Sequence, residues 1–105
     1  MNYRVKMSDE AEEDLKDFNK AQRAQITRAI NKFAINPLPK NEGGYGNPLG
    51  NKGGRNLTGL CKITFKKMGV RVIYRLIRED ELMRIIVIAA RSDEEVYNIA
   101  SDRLN

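Results

Sequence analysis

The chain has 105 residues, of which 41% are hydrophobic and 31% charged, a composition typical of one folded domain rather than of a disordered chain. It contains no histidine, which excludes Ser-His-Asp and Cys-His catalysis and any nuclease with a histidine acid–base pair. Its single cysteine, Cys61, cannot form an internal disulfide. With no visible signal sequence and no apolar run long enough to span a membrane, this predicts a cytoplasmic protein.

The formal net charge of +5 is distributed unevenly along the chain. Residues 21–78 contain 12 basic side chains and one acidic side chain, Glu42, whereas the segments before and after are net acidic. A segment of this kind is typical of proteins that bind a polyanion, most often nucleic acid. A solvated basic surface is the simpler alternative.

The first third of the chain has the pattern of one strand followed by two helices. Residues 3–7 alternate between apolar and cationic side chains, which indicates a short half-buried strand. Acidic residues from Asp9 onwards suit the start of a helix that continues to about Asn19. A second helix ends at Asn36, because Pro37 disfavours helical geometry in the residue before it. The apolar face of this second helix consists of Ile26, Ile30, Phe33 and Ala34.

Residues 36–59 contain all three prolines and most of the glycines, which predicts a mobile loop that is long for a compact domain. Residues 46–52 faintly resemble a phosphate-binding loop. The Gly-Lys-Ser/Thr signature is absent, and the pattern shows neither a strand before the loop nor a helix after it. We therefore reject a binding site for a nucleoside triphosphate.

The remainder of the chain predicts three strands and a final helix. Residues 61–65 alternate between apolar and polar side chains, and residues 70–76 do so apart from the apolar Ile73. Residues 82–90 are almost entirely apolar, and tight turns separate the three runs. The last helix begins at Asp93. The predicted fold is a single α+β domain in the order β-α-α-β-β-β-α, with a twisted antiparallel sheet, an N-terminal helical hairpin on one face and a short C-terminal helix.

Two neighbouring strands concentrate cations, because side chains two residues apart share one face of a strand. An arginine at the end of the third strand and a tyrosine early in the last helix would complete a cationic surface with one phenol at its edge. Each of these side chains, taken alone, is more often an ordinary surface or core residue. Together they predict a ligand, because so much unbalanced positive charge repels itself. The residues are Lys62, Thr64 and Lys66, then Arg71 and Arg75, and finally Arg91 and Tyr97.

These motifs resemble the RelE/ParE toxin superfamily of type II toxin–antitoxin systems. The similarity extends over nearly the whole chain, from Tyr3-Arg4-Val5 through the helix that ends at Asn36-Pro37 and the segment 56–60. Its most specific part is Gly69-Val70-Arg71-Val72-Ile73-Tyr74-Arg75, followed by Arg91, Glu95-Val96-Tyr97 and Arg103.

The RelE-like branch of the superfamily cuts mRNA in the ribosomal A site with lysines, arginines and a C-terminal tyrosine. The resemblance implies catalytic roles for Lys62, Arg71, Arg91 and Tyr97. The second catalytic lysine of that branch falls on Thr64, and Lys66, further along the same face, is a possible additional acid. Four other cations of the basic segment are predicted to bind RNA, namely Lys52, Arg55, Lys67 and Arg75.

The implied reaction needs neither a metal nor a cofactor, because RNA supplies its own nucleophile, the 2′-hydroxyl. Nearby positive charge favours the phenolate of Tyr97, which would accept the proton of that hydroxyl. Arg71 and Arg91 would hold the non-bridging oxygens, and a lysine would protonate the leaving 5′-oxygen.

The resemblance also implies partners: mRNA on the ribosome, ribosomal RNA and a cognate acidic antitoxin, but no membrane. Two alternatives stay open. One is a non-nucleolytic ParE-like inhibitor of DNA gyrase, which has no need of these catalytic residues. The other is an inactive basic RNA-binding protein of the same fold, for which Thr64 is the best support.

Overall fold

The computed structural model describes residues 2–104 and contains a five-stranded sheet with helices on both faces. The strands are β1 (Arg4–Met7), β2 (Asn47–Lys52), β3 (Arg55–Phe65), β4 (Val70–Ile77) and β5 (Leu82–Ala89). The helices are α1 (Asp9–Leu15), α2 (Lys20–Phe33) and α3 (Asp93–Leu104). Within the described residues, no helix is both long enough and apolar enough to cross a membrane.

The strand order in the sheet is β1-β5-β4-β3-β2. Strands β2 to β5 form an antiparallel meander, as the tight turns predict, whereas β1 pairs in parallel with β5. The α+β class is therefore confirmed, but the sheet is mixed rather than wholly antiparallel. Alternation in the sequence identifies β1 as a strand without specifying the partner or the direction of its pairing.

The predicted loop over residues 36–59 is wrong in its second half. Residues 47–52 form the edge strand β2, and β3 already begins at Arg55. Gly53 and Gly54 have φ values of +58° and +82° and join the paired residues Lys52 and Arg55, a two-residue hairpin turn that requires positive φ at both positions. Pro48 lies in β2, which it can do because β2 is an edge strand.

The helical hairpin is confirmed, with different helix ends. The hydroxyl of Ser8 caps α1 by accepting a hydrogen bond from the Ala11 N–H at 3.1 Å. The helix ends at Leu15 rather than near Asn19, and Asn19 is instead the extended N-cap of α2. Its side chain accepts from the Gln22 N–H at 2.8 Å, and the Gln22 side chain accepts from the Asn19 N–H at 3.0 Å.

Each face of the sheet buries a separate apolar cluster. Helix α2 contributes Ile26 and Ile30 to the first cluster, which lies between the helical hairpin and the sheet. Helix α3 contributes Val96 and Ala100 to the second cluster, on the opposite face. The cationic face predicted to be open is therefore covered in part by α3.

A bulge in β5 determines which face its last residues occupy. Ile73 pairs with Val87 and Tyr74 pairs with Ile85, so Ile86 is an extra residue in the ladder. As a result Ile86 and Val87 both belong to the cluster under α3. Beyond the bulge, Ala89 lies opposite Arg71 and the chain continues directly into α3.

Candidate active site

Four side chains from three elements meet where α3 begins over the sheet. The Lys62 ammonium donates hydrogen bonds to Asp93 Oδ1 and to Tyr97 Oη, each at 2.9 Å. The Arg71 Nε donates to the same Asp93 oxygen at 2.5 Å. We call Lys62, Arg71, Asp93 and Tyr97 the Asp93 cluster.

The backbone explains why these residues meet. Thr64 and Arg71 are directly opposite each other in the β3–β4 pair, and Lys62 is two residues from Thr64, so all three share one face of the sheet. Asp93 and Tyr97 are four residues apart, about one turn, and therefore lie on one side of α3. Because α3 packs across this face, its first turn lies over the cations of β3 and β4.

Hydrogen bonding within the cluster stabilises the charged forms of Lys62 and Asp93. Partial burial lowers the pKa of Lys62, but the hydrogen bonds to Tyr97 and Asp93 outweigh it, and the pKa lies above its ordinary value of 10.5. The hydrogen bond from Lys62 lowers the pKa of Asp93 below its ordinary 3.8, against partial burial and with the help of Arg71. At neutral pH one carboxylate therefore faces two cations, so the cluster retains a net positive charge.

The cluster forms part of an open groove with a volume of about 730 Å³. Asp93 is the sole acidic side chain among the described residues that line it. The aromatic rings of Phe33 and Tyr45 lie in the same groove. A groove with this charge is suited to an anionic ligand. The cations that line it are Lys40, Lys52, Lys62, Lys66 and Arg71.

The structure brings together three of the four residues for which the sequence predicts catalytic roles, and it directs the fourth elsewhere. The carbonyl oxygen of Arg91 accepts a hydrogen bond from Arg71 Nη1 at 2.6 Å. The guanidinium of Arg91, however, is 60% exposed and pairs with Glu95 at 3.2 Å. It lies in a different groove, one that also contains Asp14 and Arg103.

The other predicted residues are divided between the groove and the rest of the surface. Lys66, Lys52 and Thr64 line the groove. Arg55 does not, since its guanidinium donates to the Lys52 carbonyl oxygen at 3.2 Å and pairs with Glu94. Two more lie outside it, Lys67 beside the turn between β3 and β4 and Arg75 in a cleft near α1.

Sequence reasoning missed Asp93 as a member of the site and assigned it only to the start of the last helix. No spacing in the sequence shows which strand residues the first turn of α3 will contact, because the crossing of α3 over the sheet decides it. Tyr45 was missed because it lies among the glycines of the predicted loop. In residues 2–104 no three His, Cys, Asp or Glu side chains are placed to hold a metal ion.

Comparison with known proteins gives a consistent result, although no family model matches the chain. An Escherichia coli protein named as a RelE-like toxin is 26% identical over 105 residues, covering 99% of both chains. The structure of a double arginine-to-alanine mutant of E. coli RelE in the free state superimposes with a TM-score of 0.76 at 20% identity over the whole of both chains. The same mutant in complex with a peptide of the antitoxin RelB gives a TM-score of 0.69 at 21% identity over 95% of each chain. These similarities show that the chain has the RelE fold and that it resembles a RelE-like toxin along its whole length.

Proposed function

We propose that this protein is the toxin of a type II toxin–antitoxin system and that it cleaves mRNA on the ribosome without a metal ion. The observation that carries the proposal is the convergence of Lys62, Arg71 and Tyr97, from three separate elements, in one groove. A proton acceptor, an anion clamp and a proton donor are the groups that cleavage by the RNA 2′-hydroxyl requires.

In the proposed reaction the 2′-oxygen attacks the adjacent phosphorus and the bond from phosphorus to the 5′-oxygen breaks. The products are a 2′,3′-cyclic phosphate and a 5′-hydroxyl end. Tyr97 reacts as the phenolate, its own proton having passed to solvent, and accepts the proton of the 2′-hydroxyl. Arg71 stabilises the charge that develops on the non-bridging oxygens. Lys62 donates a proton to the leaving oxygen. Its raised pKa keeps it protonated at neutral pH, and Lys66 is a second donor at the wall of the groove.

Asp93 bears directly on how RNA would enter the site. Its carboxylate accepts hydrogen bonds from Lys62 and Arg71, the two cations to which the proposal assigns the scissile phosphate. A phosphate of the substrate therefore competes with Asp93 for these donors. We propose that RNA binding displaces the carboxylate, which is 46% exposed and free to turn towards solvent.

A catalytic role for Arg91 stays a prediction of the resemblance. Its guanidinium is exposed and paired with Glu95, so it would have to leave that carboxylate before it could hold a phosphate. An exposed pair of this kind contributes about 1 kcal/mol or less, and a bound phosphate can replace it.

Induced expression in bacteria, with mapping of transcript ends, tests the proposal. We expect cleavage inside translated reading frames for the wild-type protein and intact transcripts for Tyr97→Phe produced at the same level. Intact transcripts together with gyrase-dependent DNA breaks would instead support a gyrase inhibitor. Intact transcripts without DNA damage would indicate an inactive RNA-binding protein.

The proposal includes an acidic protein partner and a cytoplasmic site of action. The structure of the similar RelE mutant holds an antitoxin peptide, and the groove of this chain carries five cations against one carboxylate. An acidic segment, disordered until it binds, would neutralise that charge. Co-expression with an adjacent small acidic reading frame should restore growth and yield a stable complex, whereas unrestored growth would contradict this partner.

A further inference from the structure

An aromatic wall lies in the groove that contains the Asp93 cluster. Tyr45 is 52% exposed, and Ile35 is the one other strongly exposed large apolar side chain among residues 2–104. The Tyr45 ring lines the groove together with Phe33, whose ring meets it edge-on at a centroid distance of 5.8 Å and an angle of 71°. Ile35 does not line the groove.

The segment before β2 holds the backbone at Tyr45 in place. The Tyr45 N–H donates to the Asn36 carbonyl oxygen at 3.1 Å, and the Asn36 side chain donates to the Gly43 carbonyl oxygen at 3.1 Å. A side chain at Gly44 would clash with the backbone of Leu38, because its Cβ would lie 2.0 Å from the Leu38 oxygen. Gly44 therefore allows the close contact that fixes the chain on one side of the ring.

The other side is fixed by a buried tyrosine. Gly46 packs against the hydroxyl of Tyr74, where a Cβ would lie only 2.2 Å away, and that hydroxyl donates to the Pro37 carbonyl oxygen at 2.7 Å. The backbone that carries Tyr45 is thus fixed on both sides, while the ring itself is exposed and contacts Phe33. A single exposed aromatic ring is ordinary on a protein surface, so the side chains around it decide what it could bind.

The positive charge of the groove indicates which kind of ligand would cover the Tyr45 ring. Lys40, Lys52 and Lys66 line the same groove, and Asn47, two residues from Tyr45, pairs with Lys62 of the Asp93 cluster. Two residues of chain span at most about 7 Å, so the backbone at Tyr45 lies near the strand position that pairs with Lys62. Aromatic rings beside cations are the combination that binds single-stranded nucleic acid, with bases on the rings and phosphates on the cations.

We infer that Tyr45 is a stacking platform for a nucleobase of RNA whose phosphate binds at Lys62 and Arg71. This inference rests on the proposed function and adds a binding subsite to it. Stacking on one aromatic ring strengthens binding of single-stranded nucleic acid on the order of 10-fold or more per base.

Binding of a fluorescent 12-nucleotide RNA with 2′-O-methyl groups tests the inference, since that probe cannot be cleaved. Tyr45→Ala should weaken binding about 10-fold or more, and Tyr45→Leu should weaken it nearly as much, because leucine keeps apolar area but has no aromatic face. Tyr45→Phe should bind within about threefold of the wild type, because the aromatic face is kept. Ile35→Ala is the matched control, since it removes an equally exposed apolar side chain outside the groove.

Two results would overturn the inference. The first is equal binding of the probe by Tyr45→Ala and Ile35→Ala. The second is wild-type affinity of Tyr45→Leu for the RNA probe, which would indicate a general apolar contact. In that case, loss of antitoxin binding in Tyr45→Ala would identify a protein as the ligand of this ring. The proposed function fails separately, through intact transcripts. A wild-type protein that cuts transcripts while Tyr45→Ala binds the probe normally would contradict the stacking subsite alone.

Discussion

Two carboxylates of this molecule stand at the centre of ion-pair networks, and the networks differ in how their charges are balanced. Asp14 of α1 accepts two hydrogen bonds from the Arg103 guanidinium, at 2.7 and 2.9 Å, and a third from the Ile88 N–H at 2.9 Å. Arg103 also donates to the Ile86 carbonyl oxygen at 2.8 Å. In this network one acidic side chain is paired with one basic side chain, and both are at most 22% exposed. The network joins α1 and α3 to the second half of β5, which follows the residues that pair with β1.

The Asp93 cluster has the opposite balance. One carboxylate, 46% exposed, is shared by two cations and lies in an open groove lined by three further lysines. A balanced pair that also satisfies backbone groups stabilises the fold, whereas an unbalanced, accessible one is suited to a ligand of the missing charge. The comparison predicts that changes at Asp14 affect stability and that changes at the Asp93 cluster affect binding and catalysis.

The largest effect is expected for Tyr97→Phe. The substitution keeps the ring and removes the hydroxyl that the proposal uses as proton acceptor, so the rate of RNA cleavage should fall by about 10²- to 10⁴-fold. The midpoint of urea denaturation should barely change. Tyr3→Phe removes a phenol hydroxyl outside the groove and should keep wild-type cleavage. Equal rates for the two variants would contradict a catalytic role for Tyr97.

A change at Asp14 should act on the fold instead. Asp14→Ala leaves a largely buried arginine and the Ile88 N–H without their acceptor, and we expect a loss of about 2–3 kcal/mol in the free energy of unfolding. Glu13→Ala is the control on the same helix. Its pair with Lys16 is exposed, and its loss should cost about 0.5 kcal/mol or less in urea denaturation. Similar losses for the two variants would show that the Asp14 network contributes little.

Asp93→Asn should strengthen RNA binding. It removes the negative charge that competes with the phosphate for Lys62 and Arg71, and we expect the dissociation constant of the uncleavable RNA to fall about 10-fold. The affinity for RNA should also fall more steeply with salt concentration, because an additional cationic side chain becomes available to contact phosphate. Asp102→Asn makes the same charge change at an exposed position nine residues further along α3. If Asp93→Asn binds the RNA no more tightly than Asp102→Asn does, Asp93 does not occupy the phosphate position.

The smallest effect is a dependence of stability on pH. The lowered pKa of Asp93 gives a contribution that is present above its ordinary 3.8 and is lost as the pH falls through the value in the folded protein. The raised pKa of Lys62 gives a contribution that is present below 10.5 and is lost at higher pH. Wild type and Asp93→Asn should therefore differ by about 1 kcal/mol or less between these limits, and denaturation curves should converge outside them. A difference that is independent of pH would contradict ionic stabilisation.

Most of the sheet could be predicted from the sequence, because alternation is a local signal. β4 shows it apart from the apolar Ile73 and Ile77, and β5 is recognisable from its apolar run. β2 could not be recognised in this way, because Pro48 and Gly50 interrupt its pattern. A local signal was nevertheless present there, since two adjacent glycines between paired residues are typical of a hairpin turn.

The candidate site was predictable only where it lies on the sheet. Lys62 and Arg71 share a face because of the strand period, and this could be read directly. The position of α3 could not, since it depends on packing between residues distant in the sequence. For this reason the sequence identified Tyr97 as a residue of interest without showing that Lys62 is its hydrogen-bond partner, and it identified Asp93 only as the start of the last helix.

The bulge at Ile86 has a consequence for changes in chain length. Side chains of a strand alternate between its faces, so the extra residue reverses the side on which every later position of β5 lies. Deleting Ile86 would remove the extra residue and leave Val87, Ile88 and Ala89 opposite the same residues of β4. Ala89 would remain opposite Arg71, and the start of α3 would keep its side of the sheet. One deletion in this strand can therefore be absorbed by loss of the bulge, whereas a second deletion would reverse the alternation and move Asp93 and Tyr97 to the wrong side of the sheet.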